Sequence, residues 1–136
     1  MFRNTLVRMT GLTLAVAAAI TIPSMSSAHH SFAMFDASKQ KTISGTVSKF
    51  RFSNPHVYIV IDVAEKPGAA PTSYLFEGPT PAILGRLGWN RTILKPGDKV
   101  KMQFHPMRDG KPGGNALRLW LPSGKMISLE NEDIKY

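Results

Sequence analysis

The sequence predicts an all-β domain: a small OB-like five-stranded barrel with one short helix between strands three and four. Three observations carry this expectation. Strand-like alternation recurs from Lys41 onward, a single helical signal interrupts it after the third strand segment, and the first strand segment changes phase partway along. A phase change of that kind lets a long strand curl, and a small barrel needs a curled strand to close. A plain β-sandwich is the alternative, and the lone helix counts against it.

In KTISGTVSKFRF, Ile43, Gly45 and Val47 share one face, after which the apolar positions shift to Phe50 and Phe52. A one-residue slip turns every side chain to the other face, so the shift predicts a bulge near Ser48 and Lys49. SNP then turns the chain. HVYIVIDVA follows with Val57, Ile59, Ile61 and Val63 at period two, which makes an antiparallel hairpin with the first strand. The loop EKPGAAPT leads to a short strand, SYLFEG. Next comes the helix: Thr80 caps it, Pro81 suits its first position, Ile83, Leu84 and Leu87 fall on one side, and Gly88 stops it. In KPGDKVKMQFHPM a turn feeds a strand with Val100, Met102 and Phe104 inward. The glycine-rich RDGKPGGN loop returns the chain through ALRLWLPSGKMISL, with Leu117, Leu119 and Leu121 inward and a turn at Ser123 and Gly124. Trp89, just after the helix, is expected to plug one end of the barrel, and the tail ENEDIKY is polar.

The first 28 residues read as an export signal. Arg3 and Arg8 form a basic region without acids, GLTLAVAAAITI is a short apolar core, and Pro23 precedes the small residues Ser26, Ser27 and Ala28. A membrane-spanning helix needs roughly 20 apolar residues, more than this core supplies. Ser26 and Ala28 occupy the small-residue positions a signal peptidase requires, which places the cut after Ala28; a cut one or two residues away is the alternative. Residues 29–136 then form one barrel domain in the periplasm, with no stable membrane insertion after processing. Loss of Arg3 and Arg8 lowers the formal charge from +8 by two, to +6. A basic surface suits nucleic acid, anionic lipid or acidic glycan, and export disfavours the first. The chain has no cysteine. Thiol chemistry, a lipoprotein anchor and the cysteine ligand of a blue-copper centre are thereby excluded.

All four histidines, His29, His30, His56 and His105, lie after the expected cut. With His29 as residue one, its α-amine and ring can chelate a metal together. A free α-amine has a pKa of about 7.7 to 8.0, so a metal can displace its proton near neutrality. His30 adds an imidazole nearby, and His56 or His105 could supply the third donor of a histidine brace, with copper as the expected metal. His56 and His105 are both out of phase with the core positions of their strands. Met107, two residues after His105, shares its side if the strand continues through Pro106, and its thioether favours Cu(I). The competing reading makes each histidine an exposed residue with no task. Among the acids, Asp98 and Asp109 sit in turn sequences, whereas Glu77, at a strand end, is a candidate metal ligand or a support for one.

No nucleophile elbow, phosphate loop or nucleotide fingerprint occurs. Trp120 alternates with the leucines and points outward with Arg118. Together with Lys99 and Lys101, these residues could form a basic face that stacks and holds an anionic ligand.

The segments AHHSFAMFD, GTVSKFRFSNPHVYI, FEGPTPAILGRLGW, KPGDKVKMQFHPMRDGKPGG and LPSGK together resemble a family of small secreted proteobacterial proteins of unknown function. The resemblance runs from His29 to about Lys125. It implies export, a single all-β domain, and an HHSF, NPH and HP pattern carried here by His29, His30, His56 and His105. It implies no activity, and Phe52 stands where the family's aromatic is often Trp. The first expectation is therefore a periplasmic metal-binding protein, for copper, acting in handling, delivery or protection and not in turnover. The second is a non-enzymatic module that binds an anionic envelope ligand or a periplasmic partner protein through the basic face. A brace-type copper oxidase comes third, because so small a domain offers little substrate platform.

Overall fold

The structure, a computed structural model, describes residues 32–130. Its elements are β1 (Lys41–Arg51), β2 (Tyr58–Val63), β3 (Thr72–Glu77), α1 (Pro81–Arg86), β4 (Lys99–Pro106), β5 (Gly113–Trp120) and β6 (Met126–Ser128). The antiparallel pairs β3–β2, β2–β1, β1–β4 and β4–β5, together with the parallel pair β3–β5, close the ring. This is a closed five-stranded barrel with a single short helix between the third and fourth strands, and β6 extends it beside β5. The expected signal segment, His29, His30 and residues 131–136 of the polar tail lie outside the described residues.

β1 pairs on both of its edges within the one sheet. Its first half pairs with β4 and its second half with β2. The register slips between Val47 and Lys49, leaving Ser48 as the extra residue, as the phase change predicted. Gly45 helps the strand bend, because a Cβ there would stand 2.5 Å from the Asp62 carbonyl oxygen. Inside the ring, Val47, Ile59, Ile61, Phe76, Val100, Met102, Phe104, Ala116 and Leu119 are buried in one cluster, with Phe76 and Phe104 edge to face at 4.8 Å between centroids.

Two expectations about the core need correction. β5 carries a second bulge: Gln103 faces Arg118 while Phe104 faces Ala116, which makes Leu117 the extra residue. Ala116 consequently takes the inward place, Leu117 is buried without joining the main cluster, and Leu121, past the strand end, is only half-buried. In α1, the Thr80 hydroxyl accepts from the Ile83 amide at 3.3 Å as expected, yet Leu84 alone is buried. Leu87 is the C-cap and is 37% exposed, since the helix ends before its side can turn inward. Trp89 does plug the barrel: it is buried, packs on Phe50, and its indole donates to the Ser128 carbonyl at 2.8 Å.

The parallel seam constrains the sequence most tightly. A Cβ on Gly113 would collide with the Leu75 carbonyl, and one on Gly114 with the His105 carbonyl and the Phe104 ring. Gly114→Ala should therefore cost about 2 to 3 kcal/mol, the range of overpacked cores. Gly110→Ala, at φ +78 with open space around its Cα, should cost only the left-handed backbone penalty of roughly 1 kcal/mol. Urea denaturation of the two variants measures the difference.

Candidate functional site

The ring closure lines up one row of residues from four strand pairings. Arg51 faces Tyr58, Tyr58 faces Glu77, Glu77 faces Asn115, and Asn115 faces His105. His56 stands just before β2, and its Nδ1 lies 3.3 Å from Glu77 Oε1 and 3.3 Å from the Gly78 carbonyl oxygen. A carbonyl can only accept, so Nδ1 carries a proton and donates, and in the neutral ring the Nε2 lone pair is left available. A histidine whose Nδ1–H is held by a carboxylate and whose Nε2 is available is the arrangement that metal sites use to fix a ligand ring.

Glu77 is the more enclosed partner, with 16% of its side chain exposed against 27% for His56. Burial pushes its carboxyl above the ordinary glutamate range, and the nearby His56 acts in the opposite direction. Tyr58, beside it in the row, has its phenol pushed up by burial and then by the Glu77 charge, with Arg51 opposing. Asn115 is 5% exposed, and its side-chain amide meets no hydrogen-bond partner among the described residues. An enclosed amide of that kind needs a polar partner.

The chain's entry into the described region docks at this end of the barrel. Phe35 bridges to Met107 and is buried, the Asp36 amide donates to the Pro106 carbonyl at 2.8 Å, and the Arg108 amide donates to the Met34 carbonyl at 2.9 Å. Arg108 Nε adds a bond of 3.0 Å to the Ala33 carbonyl. A cavity of about 220 Å³ opens here, lined by Met34, Phe35, Tyr58, Leu75, Glu77 and Met107. β4 persists through Pro106, so Met107 follows His105 at period two, and its side chain lines the cavity that Glu77 borders.

His105 is separately placed. Its Nδ1 donates to the Lys39 carbonyl at 2.6 Å, and Asn115 on β5 separates it from Glu77, two strand spacings away or about 10 Å. Among the described residues no three His, Cys, Asp or Glu side chains gather into a metal-holding group. Any such site must draw donors from elsewhere.

The basic face assembles in part. Lys99, Lys101 and Trp120 line one shallow depression, with the Lys101 ammonium 4.1 Å from the Trp120 ring centroid. Lys99 Nζ donates to Thr46 Oγ1 at 2.6 Å. Arg118 is drawn aside: it pairs with Glu130 at 2.6 Å and donates to Gln103 Oε1 at 3.0 Å. Asp98 and Asp109 serve their turns, accepting from the Lys95 and Lys111 amides.

Most of the barrel, including the NPH and HP histidines, comes from a stretch that a known family shares: residues 16–116 match the family of unknown function DUF6152. The chain belongs to that family. No curated protein and no solved structure matches it. Among the described residues, no helix is long and apolar enough to cross a membrane.

Sequence reasoning singled out His56 and Glu77 separately, and their pairing depends on the β2–β3 register. It missed Asn115, whose only signal is a polar residue between glycines and a run of leucines.

The Glu77 titration is testable. A carboxyl raised in the folded state stabilises the protein below the ordinary glutamate pKa, and that contribution is lost as pH rises through the folded value. Stability should therefore fall across the window that begins near 4.5, and Glu77→Gln should flatten the fall. In His56→Ala, with the opposing charge gone, carboxyl ¹³C NMR should find the Glu77 pKa higher still.

Proposed function

We propose that the mature protein is a periplasmic copper-binding protein, exported by residues 1–28, in which His29 supplies an amine and an imidazole and His56 supplies a further imidazole. The observation that carries this reading is the His56 ring, oriented through Nδ1 by Glu77 and Gly78 with Nε2 left for a metal. Docking of Ala33 to Asp36 on the β4 end supports it, because Met34 shares a cavity with Glu77. His29 is five residues before Met34, and five residues reach up to about 17 Å. Between His56 and His105 as third donor, the carboxylate backing favours His56. Three nitrogens suit copper, and Met107 at the cavity wall adds a thioether that suits its reduced form. In this reading the function is metal handling, delivery or protection.

Mass spectrometry of protein purified from the periplasm, with copper titrated in, tests this. The expected mass begins at His29 and retains one copper. One alanine added before His29 should weaken binding by roughly 100-fold or more, and His56→Ala or Glu77→Gln by about 10- to 100-fold. A chain that begins at His29 and holds no copper overturns the reading.

The Lys101–Trp120 stack favours a second reading, a non-enzymatic module that binds an anionic envelope ligand or a partner protein through Lys99, Lys101 and Trp120. Arg118 contributes little there, its charge being met by Glu130. Such binding should weaken steeply between low and physiological salt and be lost in Lys101→Glu, as isothermal titration with a polyanion such as heparin would measure.

A further inference from the structure

The outer face of β1, β2 and β3 carries a groove distinct from the Lys101–Trp120 depression. Its first part is the cavity walled by Met34, Phe35 and Met107; its second, of about 270 Å³, is lined by Lys49, Arg51, Tyr58, Val60 and Leu75. Tyr58 and Leu75 wall both, so the two adjoin as neighbouring parts of one trough. Strand register explains its layout. Lys49, Val60 and Leu75 make one row across the three strands, and Arg51, Tyr58 and Glu77 make the next. The trough thus runs across the strands, from two cations on β1, over an aromatic and aliphatic floor, to an apolar end beyond β3.

Its surface is unusual for an outer face. Leu75 is 51% exposed and Met34 44% exposed, two of the four large hydrophobics that stand exposed among the described residues, and both belong to this trough. At the opposite end, Lys49 and Arg51 are exposed, and neither meets a carboxylate among the described residues; Arg51 only donates from Nε to Ser53 Oγ at 2.8 Å. Glu77 borders the apolar end and disfavours an anion there.

We propose that this trough binds an anionic single-chain amphiphile, a medium-chain fatty carboxylate, with its head on Lys49 and Arg51 and its tail over Leu75 towards Met34 and Met107. Charge complementarity fixes the direction, since the cations stand at one end and the carboxylate of Glu77 at the other. Size agrees. The path from β1 past β3 to the strand beyond it covers three strand spacings, about 14 Å, which suits an extended acyl chain of medium length. Removal of the tail from water supplies the affinity, and the head supplies the selectivity. The inference uses neither His29 nor His56, but its apolar end is the cavity whose Met107 the copper reading takes as an accessory donor, so it is tested on metal-free protein.

The test is isothermal titration of the full mature protein with dodecanoate below its micelle threshold, beside dodecyltrimethylammonium, which has the same tail and the opposite head. Dodecanoate should bind saturably at one site, and the cationic amphiphile roughly tenfold or more weaker. A Lys49→Glu, Arg51→Glu double variant should reverse that order, and Leu75→Glu should lower dodecanoate affinity by about tenfold or more. All three positions are exposed, so circular dichroism should show an unchanged fold. Absence of saturable dodecanoate binding, equal binding of both amphiphiles, or retention of the wild-type preference in the double variant overturns the proposal.

Discussion

The parallel seam between β3 and β5 is the constraint on which the rest of the molecule depends. Only three residue pairs make it: Leu75 with Gly113, Phe76 with Gly114 and Glu77 with Asn115. Parallel pairing is slightly weaker per residue than antiparallel pairing, so so short a seam needs close approach and good packing behind it. Gly113 and Gly114 permit the approach, and the Phe76–Phe104 edge-to-face contact supplies the packing. Without closure, β3 and β5 would present open edges, and the row that joins Tyr58, Glu77, Asn115 and His105 would not exist.

That row also explains why Glu77 differs from the other acids. Asp36 and Asp109 are surface carboxylates held low by neighbouring hydroxyl, amide and lysine groups. Glu77 sits where the seam and the docked entry segment exclude water, and its compensating partner is a histidine that donates from one nitrogen. An exposed ion pair contributes little to stability, and this one is too enclosed to be merely decorative and too weakly paired to repay full burial. The pairing orients the imidazole more than it stabilises the barrel.

The sequence announces features that depend on local periodicity. The barrel, the bulge at Ser48 and the cap at Thr80 all follow from alternation, phase or a capping residue within a few positions. The bulge at Leu117 is hidden because the extra residue is itself buried, so Leu117, Leu119 and Leu121 alternate as though the strand were regular. Leu87 reads as inward by helical period, but the period has no meaning once the helix stops at Arg86. The site divides the same way. His56 and Glu77 are conspicuous by chemistry and phase, while their contact requires the hairpin register across a loop of free length. Asn115 becomes notable only through the non-local seam that sets it between Glu77 and His105.

Glu77 finally connects the two proposed chemistries. Copper on His56 Nε2 would place positive charge beside the Glu77 carboxyl and favour its ionised form, the reverse of what burial does. An ionised Glu77 repels an anionic head from the apolar end of the trough and leaves Lys49 and Arg51 as its only cationic seat. An apolar tail laid over that carboxylate would in turn resist its ionisation and, by linkage, would weaken the metal to the same degree. One half-buried carboxylate, positioned by three strand pairs, thus borders both the His56 ring at the barrel's end and the groove along its side.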